Sequence, residues 1–170
     1  MSTVELASCL ARTERELGLR ARQLSAVAEF SRYSLAGYEL SGLFERAVTL
    51  SVEALGVSMA AIFEPVPGSE LILIRAGAGW RESVGGQLLH RLEPGSAIAR
   101  VLAHGTPVTD DGPYAGGRGD GVPLLREHGV VSGMAVALPT AAGPQGGPPA
   151  HAPETRAVQP EDRYLLPIIA

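Results

Sequence analysis

Four histidines, one cysteine and a serine set between glycines are the residues of this chain that could ligate or attack. His90, His104, His128 and His151 could bind a metal as neutral imidazoles, but no two stand at the helical spacing of a zinc motif. Cys9 stands alone, so a disulfide within the chain is impossible and a cysteine-based metal site lacks its ligands. In Gly129-Val-Val-Ser-Gly133 the serine comes one place late for the sharp turn that presents a nucleophile, and Ser132 reads as a small strand residue. Gly77-Ala-Gly79-Trp-Arg-Glu82 opens like a dinucleotide fingerprint, yet Glu82 occupies the place of the third glycine. No glycine run is followed by the Gly-Lys-Ser/Thr of a phosphate-binding loop. Arg118-Gly119-Asp120 lies in a glycine-rich stretch and reads as a chance tripeptide. His104 and His128 end predicted helices, where a cation suits the helix dipole, so both read as caps before ligands. No catalytic constellation emerges.

The elements that must position these residues follow from composition and pattern. The chain of 170 residues suits one domain, and its 45% hydrophobic content builds one core. Only 5% is aromatic, so that core must be mostly Val, Leu, Ile and Ala. A net charge of −4 gives no basic footprint for nucleic acid. The apolar runs Met59–Phe63, Leu71–Ile74 and Met134–Leu138 are too short to span a bilayer, and the first residues do not form a signal peptide. With one cysteine, the chain fits a reducing cytoplasm.

Glu, Leu, Ala, Arg and Gln dominate from Thr3 to Val27 and predict a helix, extending toward Ser34. Steps of four and three pick out Leu6, Leu10, Thr13, Leu17, Arg20, Leu24 and Val27, five of them apolar. That row predicts a coiled-coil-like helix pairing with a second copy, or an amphipathic helix lying on its own domain. Leu35-Ala-Gly37 breaks it. A second helix starts near Glu39, and Gly56 is its C-cap. Val57–Glu64 and Glu70–Gly77 predict an antiparallel hairpin across Pro65-Val-Pro-Gly-Ser69, and Gln87–Leu92 a third strand. Ser96 caps a helix ended by Gly105, and Pro107–Asp110 is a brief strand. Asp111–Gly121 predicts a glycine-rich surface loop, Val122–His128 a short helix, Val130–Leu138 one apolar strand, and Pro139–Pro153 a second loop. A last helix begins near Gln159 and is interrupted by Pro167.

Three pieces stand in order. They are Leu55-Gly56-Val57; Pro94-Gly95-Ser96 with Ile98-Ala99-Arg100-Val101-Leu102 and Gly105-Thr106-Pro107-Val108; and Leu125 with Gly129-Val130-Val131-Ser132 and Ala135-Val136-Ala137-Leu138-Pro139. Together they resemble the GAF domain, a sensory and regulatory module, over Leu40 to Leu138, with a weaker match at Ala157–Leu166. The resemblance implies an α/β (α+β) fold, with an antiparallel central sheet of about five to six strands flanked by helices and a long N-terminal helix. Residues 1–36 would be a signalling helix and 37–170 the GAF-like domain. Where the family has a final strand, this chain has Gly146-Gly147-Pro148-Pro149-Ala150-His151. Two adjacent prolines cannot donate to a central ladder, so that strand is expected to be missing or a frayed edge, and the closing helix cut short.

The function implied is non-enzymatic: a regulatory module that binds a small molecule or relays a signal. The output domain would be one such as a histidine kinase of a two-component system. A ligand-free dimerisation module acting through the N-terminal helix is the alternative. The resemblance implies a pocket whose candidate lining residues are Trp80, Asp110, Tyr114 and Arg126. The bland readings are a core anchor, a turn former, a loop residue and a solvated helix residue, respectively. Bilin-attaching and sulfoxide-reducing members use cysteines inside the domain, and none stands there. A haem ligand would have to be a pocket histidine, with His90 first in line. No cofactor is named by these residues.

Overall fold

The computed structural model describes residues 2–69, 71–90, 96–110, 123–130, 132–140, 143–146 and 150–152. The expected loop 111–121 and the expected closing helix beyond residue 153 lie outside them.

Helix α1 (Thr3–Leu35) begins with a capping box: the Ser2 hydroxyl accepts from the Glu5 amide at 3.3 Å and the Glu5 carboxylate accepts from the Ser2 amide at 2.7 Å. Its second half packs on helix α2 (Leu40–Leu55) through Ala26, Val27 and Phe30. An ion pair between Glu29 and Arg46 ties the two helices, and the rings of Tyr33 and Tyr38 stack at 3.9 Å across their corner. Val27, expected in one row with the leucines, packs on the domain. A straight helix has 3.6 residues per turn, so a seven-residue row drifts by about 20° per heptad. By Val27 that row has rotated onto the domain side. The exposed row instead runs Leu6, Leu10, Leu17, Leu24 and Leu35, with exposures from 47% at Leu6 to 87% at Leu35.

The central sheet is built from β1 (Met59–Pro65), β2 (Leu71–Ala78), β3 (Leu88–His90), β4 (Val108–Asp110), β5 (Ser132–Ala135) and β8 (Ala150–Ala152). It is antiparallel throughout, in the order β3-β2-β1-β8-β5-β4. The expected hairpin is β1–β2, with a register shift after Ile62 that leaves Arg75 as the extra residue. This bulge changes which face the strand presents. Ile72 and Ile74 lie with one cluster, Ala76 and Ala78 with the other, and Arg75 stays exposed in an ion pair with Glu64. Donating its Nε–H to the Glu64 carboxylate holds the Arg75 guanidinium above its ordinary pKa, against a smaller opposing effect of burial.

Two expectations about the second half are corrected. The run Val130–Leu138 is not one strand. β5 ends at Ala135, Val136 intervenes, and β6 (Ala137–Thr140) leaves to pair with β7 (Gly143–Gly146) in a separate two-stranded sheet. Pro139 sits opposite Pro144 there. A proline cannot supply a ladder donor between two neighbours, but a two-stranded ribbon tolerates it. The strand expected to be missing or a frayed edge is β8, and it is central. Ala150 and His151 pair with Ala60 and Met59 on one side, while Ala150, His151 and Ala152 pair with Met134, Gly133 and Ser132 on the other. None of Ala150, His151 and Ala152 is a proline, so each has an N–H to donate, and the two prolines before them in the sequence do not exclude the strand.

Candidate functional site

Helices cover both faces of the sheet. On one face α2 presents Ala47, Ser51 and Ala54 toward Ala60, Ile62 and Ala76. The buried Ser51 hydroxyl is satisfied by donating to the Ala47 carbonyl at 2.8 Å. On the other face lie α3 (Ala97–His104) and α4 (Pro123–Glu127). The side chains between them and the sheet are Met59, Phe63, Ile72, Ile74, Val84, Ile98 and Leu125, with Trp80 against them. Ser96 caps α3 as expected, its hydroxyl accepting from the Ala99 amide at 3.1 Å.

Trp80 is placed by two glycines. Gly79 has φ +81°, and a Cβ there would stand 1.9 Å from the Ser58 carbonyl oxygen, so only glycine lets the chain pass so close to the backbone at the start of β1. A Cβ on Gly77 would meet Val84 at 2.3 Å and the Trp80 ring at 2.9 Å. Trp80, half-buried, then donates its Nε1–H to the Ala60 carbonyl at 2.8 Å. Of the four residues expected to line a pocket, this one is tied to the sheet as an anchor. Asp110 ends β4 opposite Gly133, and Arg126 lies in α4, the helix whose Leu125 shares the cluster with Trp80. Tyr114 lies outside the described residues, and His90 is in β3 opposite Leu71.

Sequence reasoning read His128 only as a cap, and it is one. Its Nδ1 lies 2.8 Å from the Leu124 carbonyl and must donate there, because that oxygen only accepts. What the pattern did not show is the rest of the ring. It meets the Trp80 indole edge-on, at 5.1 Å between centroids and 73° between planes. Among the described residues its buried Nε2 has no partner. With Nδ1 fixed as the donor, Nε2 of the neutral ring is a lone pair that a hydrogen-bond donor could satisfy. The buried Ser132 hydroxyl also lacks a partner among the described residues, but Ser132 alternates with Gly133 on the Met134 side of β5. It therefore lies on the face away from His128, and the two do not form one site. No group of three His, Cys, Asp or Glu able to hold a metal occurs among the described residues. None of the described helices is long and apolar enough to cross a membrane.

No protein-family profile and no curated sequence matches this chain. Solved structures do. The GAF domain of a phosphoenolpyruvate-protein phosphotransferase from Coxiella burnetii superposes with a TM-score of 0.72 at 14% identity, over 88% of this chain and 89% of that one. The phycoerythrobilin-bound GAF domain of a cyanobacterial phytochrome gives 0.67 at 14% identity, over 86% and 89%. The GAF domain of Thermosynechococcus elongatus PixJ, in its blue-light absorbing form, gives 0.58 at 16%, over 76% and 79%. The chain has the GAF fold, a mixed α+β architecture with a long N-terminal helix.

Proposed function

We propose that this chain is a regulatory, non-enzymatic module of the GAF type. It pairs with a second copy through α1 and passes a conformational change along that helix to an output domain, such as a histidine kinase, in a parent protein. The observation that supports this most is the leucine row of α1, which stays exposed although the rest of the chain has buried its core. Leucines recurring every seven residues at 10, 17 and 24 fit the holes of an identical helix. The sedimentation of the Leu17→Glu variant beside the parent tests the reading. The expected result is a dimeric parent and a monomeric variant of unchanged helicity. A monomeric parent would end the proposal.

A small-molecule input is the second part of the reading. Its supports are the bilin carried by one structural neighbour and the His128 Nε2 beside Trp80, which has no partner among the described residues. A bilin held through a cysteine in the domain is disfavoured, because Cys9 sits exposed on α1. The ligand proposed is therefore non-covalent, with a hydrogen-bond donor facing His128. A native mass spectrum of protein from its own host tests this part, and a bare polypeptide mass speaks against it.

A further inference from the structure

The two rings that meet just past α4 have committed their donors and kept an acceptor. Trp80 spends its Nε1–H on the Ala60 carbonyl at 2.8 Å, and His128 spends its Nδ1–H on the Leu124 carbonyl, also at 2.8 Å. Both bonds go to backbone oxygens of the chain itself, so neither N–H is left to meet a carboxylate or a phosphate. What remains on the imidazole is the Nε2 lone pair, buried and without a partner among the described residues. In the neutral ring it only accepts. An anion would bond there only after the ring took up a second proton.

The surroundings oppose charge as well. Trp80 packs against an apolar cluster that includes Phe63, Ile74, Val84, Ile98 and Leu125. Arg81 and Glu82 follow Trp80 in the sequence but stand exposed, and Glu127, beside His128, is exposed too. Arg100 lies on α3, turned by about 160° from Ile98 and from Leu102, the residues through which that helix reaches the cluster. An ion brought to this place would give up its water with no counter-charge among the described side chains to replace it.

We propose that the molecule received here is a neutral, mainly apolar heterocycle of the indole class, which donates its N–H to His128 Nε2, and that carboxylates and phosphates are refused. This rests on the small-molecule part of the reading above and gives it a chemical class. An indole-type ligand has one donor, no competing acceptor, and a flat body that suits aromatic and branched neighbours. Its bond satisfies the buried lone pair and leaves the bonds from Trp80 and from Nδ1 in place.

The experiment is a ligand-observed NMR titration of the full chain with indole, benzofuran and benzoate. Benzofuran keeps the shape of indole and puts an oxygen where the N–H stood; benzoate brings a carboxylate on a ring. Indole is expected to bind, benzofuran to bind roughly five- to tenfold more weakly, and benzoate not to bind. In isotope-labelled protein the His128 Nε2 resonance should shift with indole and not with benzofuran, and His128→Phe should make the two probes equal. Equal affinities in the parent, a preference for benzoate, or indole binding that leaves Nε2 unshifted overturns the inference, while a small-molecule site stands. If no probe binds, the inference falls, and the native mass spectrum alone then decides whether any small molecule is received. If His128→Phe unfolds, the Nε2 resonance of the parent decides.

Discussion

The two faces of the central sheet are packed differently. Under α2 the alanines Ala47, Ala54, Ala60 and Ala76 stand among larger residues such as Leu55, Ile62, Met134 and Val136. Under α3 and α4 the buried side chains are mostly large: Phe63, Ile72, Ile74, Val84, Ile98 and Leu125, with Trp80 and His128 beside them. Small residues let a helix sit close at the points where they meet, while large ones interdigitate and are sensitive to any change of volume. The face that carries Trp80 and His128 is the one away from α1, so an effect there must cross the sheet to reach the helix proposed to carry it.

Three substitutions would break or sharpen this contrast. Phe63→Ala removes the largest fully buried side chain from the α3/α4 face and should cost about 3–5 kcal/mol, read from urea unfolding. A cost under about 1 kcal/mol would mean that this face collapses freely, as a vestigial pocket would. Ala54→Leu adds volume where α2 lies on the sheet and should cost about 1–3 kcal/mol. A neutral result would show that α2 can lift, and the contrast between the faces would disappear. Trp80→Phe keeps most of the ring and deletes the bond to the Ala60 carbonyl, for about 1 kcal/mol. If it costs nothing yet removes a copurifying ligand, Trp80 belongs to a binding site and not to the frame.

Much of the frame was legible because its signals are local. Ser96 and Gly105 bracket α3, Gly56 ends α2 in a left-handed conformation, and Pro65–Ser69 marks the β1–β2 turn. What the residues hid was set by distant partners. An apolar run from Val130 to Leu138 carries no sign that its chain changes sheets at Val136, since both halves are buried. A strand of three residues such as β8 is too short for any periodicity to register. The bulge at Arg75 depends on the register with β1, and Val27 on the slow rotation of a heptad row. The candidate site was less legible still. Trp80 stood out as the lone tryptophan, but the role of His128 needed the contact between a strand end and a helix 48 positions later in the chain.

The placement of β8 also sets an order of assembly during synthesis. β1 and β5 are not hydrogen-bonded to each other; each pairs with the strand at Ala150–Ala152. Until those residues have left the ribosome, the nascent chain can form the β3-β2-β1 ladder and the β4-β5 ladder only as separate ribbons, each with an open edge. Open edges recruit strands from other chains. Any truncation before Ala150 would leave both edges permanently unpaired, and such a product should aggregate on the ribosome's timescale even though nearly nine-tenths of the sequence, and most of the core, is already present.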